Sequence, residues 1–329
     1  MAALPQYETL SGNWVSPHVF HIQLNRPDRM NAFNPKMFEE IPQAFEFLNK
    51  QEELRAVVLT GNGKHFSSGL DLNEAFQAIM PESDDTARKT IKLYETIKIL
   101  QHSIDTLNRC RVPVLVGIHG ACVGAGINFA CSADIRYCTK DVKISIKEVD
   151  IGICADIGVL QRLPLQTGND SLLREITYTG RFVSADEALR LGVVSKVSEN
   201  QETMIKELIE VAQTIASKSP VAVWTIKQAL NHDVNKAVIP NLEYMARVNA
   251  AMIQTSDMQE SVTSFLTKKK AFCVLPVCNF LMQSDEISLF LRIIRQFQKK
   301  KQQHLKSVKE TKYQKKVMKK IFQKSRNYV

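Results

Sequence analysis

No two of the seven cysteines stand in a C-x-x-C pair, and their number is odd. A disulfide framework or a zinc-thiolate site is therefore not expected, and a reducing compartment suits the chain better. No apolar run reaches the roughly 18 residues that a membrane-spanning helix needs. The nearest stretch, 271–294, is broken by Asp285, Glu286 and Arg292. With 13 glycines and 11 prolines the chain is neither collagen-like nor of low complexity. Met1 to Tyr7 holds no apolar core of a secretory signal, and no Arg-rich amphipathic presequence precedes the first strand signal. What these absences leave is an ordinary soluble composition, 44% hydrophobic and 23% charged, on a chain long enough to bury a large core.

The net charge of +9 is unevenly placed. From Thr267 to Val329 there are 14 Lys and 3 Arg against Asp285, Glu286 and Glu310, while Met1 to Leu266 carries a net −5. A mildly acidic body thus precedes a basic tail. Lys299-Lys-Lys301, Lys315-Lys316 and Lys319-Lys320 would attract phosphates. The tail has few interleaved aromatics and no base-reading motif, so a solvated helix or disordered extension is the plainer reading and nucleic-acid binding is disfavoured.

Strand and helix signals alternate through the body. Val19–Leu24 alternates and is β-branched, and Asn25-Arg-Pro closes it. Asn34-Pro35 opens a helix with Met37, Ile41, Ala44, Phe45 and Leu48 on one face. Arg55–Thr60 and Val112–Ile118 are near-uniformly apolar strands, separated by a long helix over Thr86–Asn108. Ile135–Cys138 and Lys143–Ile146 are shorter strands. Such strands indicate an α/β fold with a buried sheet. After Val197 the pattern becomes helical, over Glu202–Ser217, Pro220–Asn231 and Pro240–Thr255.

Two glycine loops follow strands: Phe66-Ser-Ser-Gly-Leu-Asp71 and Gly120-Ala-Cys-Val-Gly-Ala-Gly126. At such junctions backbone N–H groups are free to meet a ligand oxygen. Glycine also simply punctuates turns. The second loop lacks the Gly-Lys-Ser/Thr of a P-loop and the downstream acid of a dinucleotide fingerprint. Glu148, Asp150 and Asp156 cluster in Lys147–Gly158, and Asp156 has apolar neighbours, a setting that raises a carboxyl pKa toward the range of a general acid or base. A helix cap or solvated turn would use the same aspartate. No Ser–His–Asp arrangement is present, and no metal cluster or cofactor is implied.

In order, the chain carries Leu24-Asn-Arg-Pro, Asn31-Ala, Ser68-Gly-Leu-Asp71, His119-Gly-x-x-x-Gly-x-Gly126, Ala133-Asp-Ile-Arg136, Leu160-Gln-Arg-Leu-Pro164 and Ala185-x-Glu-Ala-x-x-x-Gly-Val-Val194. This series resembles the crotonase (enoyl-CoA hydratase/isomerase) superfamily from about Val19 to Leu266. The resemblance implies a spiral core of ββα units over 1–200, a helical oligomerisation region over 201–266, and a tail over 267–329 outside the family. It implies acyl-CoA substrates, no cofactor and no metal. The Leu70 and Ala125 N–H groups would form an oxyanion hole for the thioester enolate, with Ser68, Gly69, Asp71, Gly124, Gly126 and Asn128 shaping the substrate site.

Glu148 with Asp156, inside Lys-Glu-Val-Asp-Ile-Gly-x-x-Ala-Asp-x-Gly, is similar to the dienoyl-CoA isomerase branch. That likeness implies isomerisation of 3,5- to 2,4-dienoyl-CoA in unsaturated fatty-acid β-oxidation, with Glu148 and Asp156 as proton carriers. The alternatives it leaves are a 2-enoyl-CoA hydratase, a Δ3,Δ2-enoyl-CoA isomerase and, more distantly, an RNA-binding relative. The branch usually has Asp at the position of Asn128. An asparagine there cannot ionise but can still hydrogen-bond Asp156. Trimers or hexamers, in the mitochondrial matrix or peroxisome, are the family's habit. The ending Arg326-Asn-Tyr-Val329 is not a Ser-Lys-Leu peroxisomal signal.

Overall fold

In a computed structural model, residues 2–74 and 85–267 are described. The basic tail, with Cys273 and Cys278, lies outside them. The chain divides into two compact units, Met1–Phe272 and Cys273–Val329, so the residues on either side of position 200 share the first unit.

That unit is built on a six-stranded sheet. β1 (Leu10–Ser16) pairs antiparallel with β2 (Val19–Leu24); β3 (Ala56–Gly61), β4 (Val114–Ile118), β6 (Ile135–Thr139) and β8 (Lys196–Ser198) then follow in parallel. β5 (Ala121–Val123) and β7 (Lys143–Ser145) form a second, two-stranded sheet. β3 and β4 are buried along their whole length, which is why their sequences are apolar without alternation.

Helices cover the main sheet. α1 (Pro35–Asn49) is capped by the Asn34 side chain and has Pro at its start, as the sequence predicts. It buries Met37, Phe38, Ile41, Ala44, Phe45 and Leu48. The long helix predicted over Thr86–Asn108 breaks into α2 (Thr86–Ile104) and α3 (Thr106–Arg109). α4 (Ala125–Ala130), α5 (Val159–Gln166), α6 (Asp170–Thr179) and α7 (Ala185–Leu191) are short connectors. α8 (Gln201–Ala216) lays Met204, Leu208 and Ala212 on Val19, Ala56, Val58 and Leu115 of the sheet.

The two helices predicted over Pro220–Asn231 and Pro240–Thr255 are one. α9 runs Pro220–Met252 through Pro240. A proline inside a helix removes one hydrogen bond and costs roughly 3 kcal/mol. Here Val238, Leu242, Ala246 and Ala250 continue a buried stripe past it, and Ala246 and Ala250 pack on Leu93 and Ile97 of α2. This packing outweighs the local break. α10 (Ser256–Thr267) adds Met258 to the same cluster.

Candidate active site

β3 and β4 both run toward one end of the sheet, and the two glycine loops leave them there, where α/β sheets bind ligands. The loops are stitched together: Ser67 N–H donates to the Ala121 carbonyl at 3.0 Å, and Val123 N–H to the Ser67 carbonyl at 3.0 Å. Gly69 has φ +95°, and a Cβ there would lie 2.8 Å from the Val123 carbonyl oxygen. Only glycine allows this approach. The same point is 3.6 Å from the Ala125 nitrogen. Leu70 and Ala125 therefore stand side by side, and among the described residues neither amide donates to a backbone carbonyl. Ala125 begins α4, so its N–H has no acceptor within the helix.

The first loop is held from behind. Arg26 donates to the Ala32 carbonyl at 2.7 Å and pairs with Asp71 at 3.0 Å, both side chains being nearly buried. Asn31 accepts from Arg26 N–H and donates to the carbonyls of Asn62 and His65. The Asn-Arg-Pro and Asn-Ala motifs thus act as a clamp on the loop. Asp134 of the Ala-Asp-Ile-Arg motif is likewise structural, accepting from Val114 N–H and from buried Lys227, each at 2.7 Å.

Glu148 opens a 3-10 turn, Glu148–Ile151, directly after β7. A Cβ on Gly124 would lie 3.8 Å from its Oε1, so the carboxyl abuts the second glycine loop. Oε1 accepts from Asn128 Nδ2 at 2.7 Å, whereas Oε2 is buried without a hydrogen-bond partner. Burial, reinforced by the nearby Asp156 charge, pushes the Glu148 pKa up to about 7.

Asp156 lies in the loop before α5 and is held by the helical layer. Asn249 of α9 donates to its Oδ2 at 2.6 Å and to the Cys154 carbonyl at 3.3 Å. Gln101 of α2 donates to the Asp156 carbonyl at 2.8 Å and to the Leu242 carbonyl at 2.9 Å. Burial raises the Asp156 pKa to about 6, against the opposing pull of the Asn249 hydrogen bond. The cap or solvated-turn reading of Asp156 does not hold, since Gly158 caps α5. Neighbouring Cys154 is exposed, but partial desolvation of its sulfur and the nearby Asp156 and Glu148 charges push its thiol up to about 11, which leaves it a poor nucleophile.

One cavity of about 570 Å³ joins these groups, a size typical of small-molecule sites. Ser68, Gly69, Leu70, Gly124, Ala125, Glu148 and Asp156 line it, and its remaining wall is mostly apolar. Three residues expected to shape the substrate site do not line it. Asp71 is spent on Arg26, and Gly126 lies under Ser67, where a Cβ would come within 3.0 Å. Asn128 is fully buried behind Glu148. The expected contact of Asn128 with Asp156 is absent, because its two polar atoms are already engaged by Glu148, Gly124 and Val159. Asn249, Gln101 and Arg26 were not singled out by the sequence. The one available signal for Asn249 is a polar residue on the otherwise apolar stripe Leu242, Ala246, Ala250.

The enoyl-CoA hydratase/isomerase family matches residues 15–273. The chain belongs to that family. Within it, the chain is 41% identical over 264 residues to the mitochondrial Delta(3,5)-Delta(2,4)-dienoyl-CoA isomerase of Mus musculus, covering 80% of this chain and 81% of the relative. The peroxisomal enzyme of that name from Arabidopsis thaliana is 39% identical over 255 residues, covering 77% and 91%. The crystal structure of an enoyl-CoA hydratase/isomerase from Mycobacterium paratuberculosis superposes with a TM-score of 0.70 at 26% identity, covering 79% of this chain and 99% of that one. The α/β fold is therefore that of the enoyl-CoA hydratase/isomerase family. Among the described residues no helix is long and apolar enough to cross a membrane.

Proposed function

We propose that this enzyme isomerises 3,5-dienoyl-CoA to 2,4-dienoyl-CoA. The observation that carries the reading is two carboxyl groups on one apolar cavity, buried Glu148 against the oxyanion loops and half-buried Asp156 held by the helical layer. The thioester carbonyl accepts hydrogen bonds from Leu70 and Ala125 N–H. Such preorganised donors contribute about 2.7–4 kcal/mol each where negative charge develops. Glu148 removes the C2 proton; the dienolate spreads its charge to C6; Asp156 delivers a proton there. One proton leaves and one arrives, so no oxidant, metal or cofactor enters the balance.

The raised pKa values suit this division. Near neutral pH the pair readily holds a single proton, and the competent form has it on Asp156 with Glu148 ionised. The Asn128 hydrogen bond works in the competent direction, because it favours charged Glu148.

Hydration of 2-enoyl-CoA is the lesser reading. In the family's hydratases a second acid stands at the position of Asn128, which cannot ionise and does not reach the cavity. Purified enzyme should convert 3,5-dienoyl-CoA far faster than it hydrates 2-enoyl-CoA. Asp156→Asn should lower the isomerase kcat by at least 100-fold; a wild-type rate in that variant would remove Asp156 from the mechanism.

Self-association completes the proposal. α9 is apolar on both sides, with Ile226, Leu230 and Tyr244 exposed opposite its buried stripe and Val221, Trp224 and Ile239 exposed beside it. A helix apolar all round is normally covered on both faces, which supports a trimer or a dimer of trimers. The relatives named above are mitochondrial and peroxisomal enzymes, and an organelle that oxidises fatty acids is the setting we propose.

A further inference from the structure

Asn128 satisfies every polar atom of its side chain, and the pattern fixes which way its amide faces. Oδ1 accepts from Val159 N–H at 2.7 Å, so it must be the oxygen. Nδ2 donates to the Gly124 carbonyl at 2.9 Å, leaving its second N–H for Glu148 Oε1 at 2.7 Å. The residue is fully buried and stands on α4, the helix that begins in the second glycine loop. One side chain thereby ties the oxyanion loop, the start of α5 and the Glu148 carboxyl into a single unit. It also differentiates the two Glu148 oxygens: Oε1 is occupied, and Oε2 is buried with no hydrogen-bond partner, on a residue that lines the cavity.

We propose that Asn128 is the positioning residue for Glu148, holding Oε1 so that Oε2 is the oxygen that takes the substrate proton. This rests on the reading of Glu148 as the base. An amide suits the task because it donates toward the carboxylate without carrying a proton that the carboxylate could capture. The other charged and titratable groups around Glu148 do not duplicate it. On its own turn Lys147 pairs with Asp150 at 2.6 Å. From the next loop come Asp156, which repels its charge, and neutral Cys154. α10 packs on the turn and brings Asp257 beside Gly152. α6 also packs there, with Arg174 and Glu175 exposed. The other donor at the carboxyl is Glu148's own backbone N–H, which also favours the charged form; no side chain other than Asn128 donates to a Glu148 carboxyl oxygen among the described residues.

The test is the pH profile of kcat/KM for 3,5-dienoyl-CoA in Asn128→Ala and Asn128→Asp chains, with Glu148→Gln alongside. Loss of the donor in Asn128→Ala should move the acid limb up by about one pH unit, a tenfold loss of rate below the limb. Asn128→Asp can still accept from Val159 N–H. It can reach Glu148 only as a protonated acid, so its activity should persist near neutrality and fall along a new alkaline limb as that proton is lost. Should the alanine chain not fold, the aspartate chain decides. An Asn128→Asp profile superimposable on wild type overturns the proposal. So does an Asn128→Ala rate lowered equally at every pH. Full activity in Glu148→Gln would instead remove the base assignment on which the proposal stands, so the two failures are distinct.

Discussion

Glu148 weakens the fold that it serves. Its pKa is about 7 in the folded protein, against an ordinary value near 4.5. Between those two pH values the folded state keeps a proton that the unfolded chain has released. Stability therefore falls as pH rises through that window, and the full deficit stands above pH 7, on the order of 3 kcal/mol. Glu148→Gln should remove the deficit. Its gain over wild type in unfolding free energy from urea titration should be a few kcal/mol at pH 8 and near zero at pH 4.5; a gain independent of pH would contradict this account. At this scale the sequence was partly legible. Glu148 and Asp156 stand in one short motif and could be named. Asn249 and Gln101, which hold Asp156, come from helices 93 and 55 residues away, and no local spacing reveals such partners.

At the scale of elements, the informative residues are the glycines that permit close approach. Gly152 has φ +71°, and a Cβ on it would meet the Asp257 carbonyl oxygen at 2.8 Å and Met258 Cα at 2.9 Å. α10 thus rests directly on the turn that carries Glu148, and its Met258 and Val262 close one wall of the cavity beside Ile253. Met258→Ala should enlarge that wall and shift kcat/KM about tenfold in favour of longer acyl tails, while costing about 2–5 kcal/mol of stability. Comparing dienoyl-CoAs of graded length checks it, and an unchanged ratio would count against α10 as the limiting wall. Strands β3 and β4 could be read directly because burial on both faces makes them uniformly apolar. The continuity of α9 through Pro240 could not, because it depends on α2, more than 100 residues earlier in the chain.

For the molecule as a whole, the charge division did not locate the chemistry. The candidate site lies wholly in the body of net −5, where the proposed mechanism places the developing charge on backbone N–H groups rather than on cationic side chains. Seven ordered motifs made the family legible, but three of them are scaffold: Arg26, Asn31 and Asp134 position loops and strands rather than touch the cavity.

The exposed apolar residues on α9 also give the protein a built-in optical reporter. Only two tryptophans occur in the chain. Trp14 packs edge-on against Phe20 at 5.3 Å and donates to the Ala2 carbonyl, so its surroundings are set within one protomer. Trp224 is 49% exposed and belongs to the exposed apolar residues of α9 offered for self-association. Dilution should therefore red-shift the emission of Trp224 as subunits part, while Trp14 supplies a constant background. Trp224→Phe should abolish the shift, and emission that ignores concentration across the dissociation range seen by sedimentation would place the contact elsewhere.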